Sequence, residues 1–339
     1  MERDERIDLL RFIGLAMVIF AHVNPPDLLF QLRDFDVPLM VLVSALSFGL
    51  SYSLQQSYKS YLWKRIKRLV FPVWIFLSIY FSAEYLVFPE SLELNSQIIL
   101  SSYTLASGIG YVWIIRVFLL VAFFSPFIFR MHINTDSNLR YFGVWSLVIL
   151  TYEVLRCFLL PTLSGLIGDV IVYTVFYAIP FCFIFAVGLR MLEMTPSGVK
   201  NLALTCVIVL ILSEVVLYIF TGSFQYTFNY KYPPSVFYIA YSFVVSCVLW
   251  LNASRLLAVV SKLRFKKIFT FISNNTIWIY LWHIPFVKVL GFHFAIKYLV
   301  VFCVASFVCL IQVSIVRFIL DNYIKNPRVS RNLKVLFTG

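Results

Sequence analysis

Charge is what this sequence has least of: Asp, Glu, Lys and Arg make up only 13% of its 339 residues, while 61% are hydrophobic. Soluble domains carry about a quarter charged residues, so an ordinary soluble fold is excluded. Acids are scarcer than bases, 16 against 28. Histidine is rarer still, with four copies. The six cysteines, Cys157, Cys182, Cys206, Cys247, Cys303 and Cys309, all fall inside apolar runs with no ligand-like spacing. They read as small core hydrophobes, and neither a disulfide framework nor a zinc site is implied. Internal repeats, low-complexity tracts and a soluble domain are also missing, and the longest connection runs only from Pro89 to Gly108. The N-terminal "MERDERID" mixes acids with bases, and "AHVNPP" lacks a small-residue cleavage pattern. The first apolar segment is therefore expected to be a retained span rather than a signal peptide.

What the chain does have is a succession of apolar runs, each long enough to cross about 30 Å of hydrocarbon as a helix. The expected fold is an all-α, polytopic integral membrane protein of about ten transmembrane helices. The spans fall near residues 7–24, 36–54, 69–88, 109–130, 141–160, 168–190, 200–220, 234–253, 269–290 and 296–320. A transmembrane domain over 1–325 and a basic tail over 326–339 complete the organisation. With the N-terminus placed in the cytoplasm, 20 of the 28 basic residues lie in inner segments, and only Arg33, Lys231, Lys288 and Lys297 reach the outer boundary. Both termini are thus expected to be cytoplasmic. A formal charge of +12 is accounted for by a basic rim facing anionic lipid and calls for no nucleic-acid partner.

The opening span holds Arg11 and His22 in "DLLRFIGLAMVIFAHVNPP". Eleven residues are three helical turns plus roughly 20°, so both side chains project from one face, with Cα atoms about 16 Å apart along the axis. Direct contact is excluded, and one continuous groove is allowed. A snorkelling arginine and a satisfied core histidine form the bland alternative. Four later stretches accompany this pair: "FDVPLMVLVSALSF", "WKRIKRLVFPVW" with Arg65 and Arg68, "YVWIIRVFLL" with Arg116, and "SNNTIWIYLWHIPF" with Tyr280 and His283. In this order, over essentially the whole chain, they resemble the membrane-bound acyltransferase family 3, which acylates cell-surface carbohydrates. Two positions depart from the family pattern: Ser44-Ala45 stands where a Ser-Gly pair is usual, and Arg116 where an apolar residue is expected.

The resemblance implies an O-acyltransferase of the bacterial inner membrane. It would move an acyl group, acetyl being the expected one, from cytoplasmic acetyl-CoA or another acyl-CoA to a hydroxyl of a cell-surface polysaccharide or lipid-linked oligosaccharide. No permanently bound cofactor or metal is implied. Acyl transfer needs a base for the hydroxyl proton and a donor for the developing oxyanion, and histidine suits the first task in pKa. His22 is the expected general base, with Arg11, also expected to be catalytic, three turns away at the donor end of the groove. Arg65 and Arg68 form an Arg-x-x-Arg turn suited to phosphate, with positive-inside anchoring as the alternative. His283 sits about 21 Å along its helix from Phe269, close to the depth of His22, as a substrate-orienting group, a proton relay or a helix-to-helix bond; Tyr280 shares its face. Arg116 and Glu153, among Glu84, Arg156, Asp169 and Glu214 in the outer third, suggest acceptor-binding groups in an outward cavity. Tyr232, with Tyr226 and Tyr230 in "FQYTFNYKYPPSVFYIAY", offers a flat face for a sugar, or forms part of an interfacial aromatic belt. A transporter or flippase of lipid-linked sugars, a polysaccharide polymerase and a non-catalytic scaffold are the competing classes.

Overall fold

In hydrocarbon every backbone N–H and C=O must be bonded within the chain, which leaves helices as the only local solution for runs this apolar. The computed structural model describes residues 4–263 and 265–338; Arg3 and Arg264, counted above among the inner basic residues, lie outside them. No strand occurs among the described residues. In chain order the helices are α1 (Glu5–Ala21), α2 (Asp27–Leu32), α3 (Asp36–Ser51), α4 (Tyr58–Val87), α5 (Ser96–Tyr103), α6 (Trp113–Ile133), α7 (Asn138–Phe158), α8 (Gly165–Ile171), α9 (Tyr177–Met191), α10 (Pro196–Thr221), α11 (Val236–Lys262), α12 (Lys266–Asn274), α13 (Thr276–Val289), α14 (Phe294–Tyr323) and α15 (Pro327–Phe337).

Eight helical segments among the described residues are long and apolar enough to cross a membrane, and the protein is an all-α polytopic membrane protein. The first and ninth expected spans are the two outside that group. Helix α1 has 17 residues, and the expected span 269–290 is broken in two. Asn275 sits at φ −114° and ψ 27°, and its amide donates to the Phe271 carbonyl at 2.7 Å. A short polar side chain competing for a helical carbonyl ends α12 there. Helix α4 begins eleven residues before the expected third span, so its basic turn is a helical extension of that span. Between α8 and α9 the chain makes a π-helical turn over Val172–Phe176. Pro180 offers no N–H to the Phe176 carbonyl, which lies 3.2 Å from Tyr152 Oη, a hydroxyl that donates to the Pro234 carbonyl at 2.6 Å.

The chain divides into two compact units. One comprises residues 1–18, 26–56 and 120–265. Its centre is the packing of α3 on α9, where a Cβ on Gly188 would lie 2.8 Å from Ala45 Cβ and 3.2 Å from the Leu42 carbonyl. Only glycine permits that approach, and the small Ala45 faces it. The other unit comprises residues 19–25, 57–119 and 266–339. There α13 packs on α4 and α14, and α15 returns against α4 and α14. Trp278, buried on α13, donates its indole N–H to the Leu336 carbonyl at 2.9 Å and stacks on Phe337.

Candidate functional site

The residues 19–25, 57–119 and 266–339 bring His22 and His283 together. Helix α1 stops at Ala21 because Asn24 turns left-handed, at φ 55°, before Pro25-Pro26; asparagine tolerates that region and proline cannot continue a helix. His22 therefore stands on the terminal turn, half-buried. His283, on α13, is 0% exposed. His22 Nδ1 lies 2.9 Å from His283 Nε2, with ring centroids 5.0 Å apart and planes inclined by 21°. His283 Nδ1 bonds the Tyr280 carbonyl. A carbonyl only accepts, so Nδ1 carries the proton and Nε2 is the acceptor. His22 Nδ1–H then donates to it, and the lone pair of neutral His22 is on Nε2. These tautomers are assigned from the bonding pattern.

Tyr111 closes on this pair. Its ring meets His22 edge to face at 4.7 Å between centroids, and Tyr280 Oη donates to the Tyr111 carbonyl at 2.6 Å. Arg116 holds the loop that delivers Tyr111. Its guanidinium donates to the carbonyls of Leu105 and Ala106 at 3.1 and 2.6 Å, beside a Leu105 backbone at φ 59°. A leucine in the left-handed region costs about 1 kcal/mol or more, and these two bonds help to offset it. On the far side of Tyr111, Lys288 pairs with Glu93. Tyr80 Oη donates to Glu93 Oε2 at 2.6 Å and accepts from Lys288 at 3.2 Å. The Lys288 ammonium lies 5.5 Å from the Tyr111 ring centroid. Sequence reasoning placed Lys288 only at a boundary and passed over Glu93 and Tyr80. The one visible signal was a lysine in the apolar stretch "HIPFVKVLGF".

Other expected residues lie elsewhere. In the unit made of residues 1–18, 26–56 and 120–265, Arg11 donates to Asp8 Oδ1 at 2.9 Å and to Ser47 Oγ at 2.8 Å. It is thus a bridge from α1 to α3. Arg65 lies on α4 over the Tyr61 ring at 5.3 Å, and Arg68 is exposed. The outer polar set serves separate local bonds. Glu153 pairs with Arg156 at 2.6 Å, and its second oxygen accepts from the Val236 N–H at the start of α11 at 2.9 Å. Glu214 accepts from the Gln225 N–H at 2.8 Å. Asp169 is exposed and Glu84 half-exposed. Tyr232 is 58% exposed, beside a buried ion cluster absent from the sequence reading.

In that cluster Lys231 Nζ, on a residue 4% exposed, donates to Asp34 and Asp36 at 3.2 Å each. Arg33 donates to Asp36 at 2.7 Å, and Thr227 Oγ1 to Asp34 at 3.0 Å. Burial by itself would lower the Lys231 pKa, but the charges of Asp36, Tyr232 and Asp34 outweigh it and hold the ammonium above its usual range. The cluster ties the loop before α11 to the start of α3. No spacing rule finds it, because its two halves, Arg33 to Asp36 and Thr227 to Lys231, are far apart in the chain.

Compared with known proteins, residues 4–317 match the family model described as an acyltransferase domain, that of acyltransferase family 3. No curated protein and no solved structure matches.

Proposed function

Given that the chain belongs to acyltransferase family 3, a family of membrane acyltransferases, we propose that it transfers an acetyl or related acyl group from cytoplasmic acyl-CoA to a hydroxyl of a cell-surface polysaccharide or its lipid-linked precursor, in a bacterial inner membrane. The observation that carries the reading is the His22–His283 pair, in which His22 keeps its basic Nε2 while Nδ1 is bonded to a buried acceptor.

On this reading His22 Nε2 takes the proton of the acceptor hydroxyl as its oxygen attacks the thioester carbonyl. The C–O bond forms, and the tetrahedral intermediate collapses with cleavage of the C–S bond. The imidazolium returns its proton to the departing CoA thiolate, leaving ester and thiol. While His22 is positively charged, its Nδ1–H bond to His283 Nε2 becomes charge-assisted, which is when it strengthens. His283 is thus a positioning residue that sets the His22 tautomer, and Tyr280 and Tyr111 fix both rings. Arg11 bridges α1 to α3. Arg65 and Arg68 receive the donor phosphates.

The test is the O-acyl content of surface glycans, by NMR and mass spectrometry, from cells carrying the gene, its deletion, or His22→Ala at equal expression. Loss of one ester in both the deletion and the variant is expected. Unchanged esters with altered glycan export or chain length would overturn the reading in favour of a transporter or polymerase.

A further inference from the structure

Helix α15 follows the last residue matched by the acyltransferase domain, Phe318 being the first beyond it. Its sequence, "PRVSRNLKVLF", contains Arg328, Arg331 and Lys334 and no acid. The first turns of α4, "YKSYLWKRIKRL", carry Lys64, Arg65, Lys67 and Arg68, again without an acid. The two segments meet: α15 packs on α4, and Lys67 Nζ lies 3.5 Å from Asn332 Oδ1. Arg328 is one helical turn from Asn332 and so shares its face. Arg331 and Lys334 continue the basic arc on the side of Arg328, and all three cations are exposed.

A basic amphipathic helix usually lies on a membrane with its apolar side in lipid. Here the C-terminal turn is docked on the protein, with Leu336 and Phe337 half-buried, while Val329 in the first turn stays exposed. Leu336 accepts the Trp278 indole bond, Phe337 stacks on Trp278 at 6.0 Å with a 10° interplanar angle, and Gln312 donates to the Phe337 carbonyl at 2.9 Å. Two acid-free basic segments are thus docked side by side, and the repulsion between their like charges is relieved by a polyanion placed between or over them. A nucleotide with several phosphates meets that requirement. Arg and Lys on a pre-ordered surface bind phosphate through charge-assisted bonds.

We propose that α15 forms a second wall of the donor site, with Arg328, Arg331 and Lys334 binding the phosphates of CoA together with Arg65 and Arg68 of α4. The inference rests on the acyl-CoA reading above and adds a segment outside the matched domain to it.

The experiment is calorimetric titration of the full chain in phosphatidylcholine nanodiscs with CoA, dephospho-CoA and pantetheine. The unaltered protein is compared with Arg328→Gln/Arg331→Gln/Lys334→Gln. Exposed charge contacts of up to about 1 kcal/mol each predict that the triple variant binds CoA about 5- to 100-fold more weakly. Pantetheine, which has no phosphate, should bind both proteins equally, and this control also reports that the variant is folded. Equal CoA affinity in the two proteins would overturn the role of α15 while leaving the donor reading intact. Absence of CoA binding by the unaltered protein would remove the donor reading and this inference together. An effect of the triple variant seen only in nanodiscs containing anionic phosphatidylglycerol would assign the arc to lipid headgroups and overturn the proposal.

Discussion

Replacing His283 tests the histidine pair most directly. His283→Leu keeps the volume of a fully buried side chain and removes the acceptor 2.9 Å from His22 Nδ1. His283→Gln keeps an acceptor oxygen at nearly the reach of Nε2. Hydrogen bonds to a charged group contribute about 1.5–3 kcal/mol. If the bond strengthens as His22 becomes imidazolium, its loss slows the chemical step by about 10- to 150-fold, at about 1.4 kcal/mol per decade. The fall should appear in kcat, with KM for the donor nearly unchanged, because the bond matters in the transition state and not in donor binding. The assay is ester formation by purified protein in nanodiscs with acyl-CoA and a glycan acceptor, alongside thermal unfolding in the same discs. Glutamine should restore most of the rate that leucine loses. A leucine variant with full kcat, or a glutamine variant no faster than leucine at equal stability, would refute the positioning role of His283.

Two further outcomes follow from the same geometry. Lys231→Met leaves Asp34 and Asp36 buried without their ammonium; breaking a buried ion pair costs about 3–5 kcal/mol, so the melting temperature in detergent should fall sharply, and an unchanged one would show that the cluster contributes nothing. Because the folded Lys231 pKa is raised, this stabilisation is fully present below the ordinary lysine value and is lost only as pH climbs through the folded value; melting should show no loss from this group across neutral pH. Arg116→Ala removes two bonds to the carbonyls of Leu105 and Ala106, each about 1.5–3 kcal/mol. Amide exchange over residues 104–111 should accelerate and kcat should drop as Tyr111 loosens; unchanged exchange would contradict the clamp.

The basic turn at Lys64 to Arg68 and the apolar run behind it were legible because both depend on neighbours within a few residues. The same holds for α10 and α14, whose ends fall within four residues of the expected ones. The break at Asn275 was not legible, since a single asparagine within an apolar stretch is compatible with a continuous helix until its amide is seen taking the Phe271 carbonyl. Arg116 and Glu153 show a different limit. Arg116 spends its charge on the Leu105 and Ala106 carbonyls, and Glu153 is divided between Arg156 and the Val236 N–H; the i, i+3 pair is local, but the backbone partners lie in other segments, which hydropathy does not encode.

His22 and His283 illustrate the division most clearly. Counting helical rise led to an expectation of similar depth, although the count for His283 ran from Phe269 through the break at Asn275. That their nitrogens meet at 2.9 Å, with Tyr111 against them, was decided by how α13 packs beside the end of α1. Composition and periodicity by themselves determined an all-α membrane protein, since transfer of each apolar helix into hydrocarbon is a property of that helix alone. Tertiary structure decided the Lys231 cluster and the return of α15 to α4, because pairing a buried charge or covering an apolar helix face requires a partner far away in the chain.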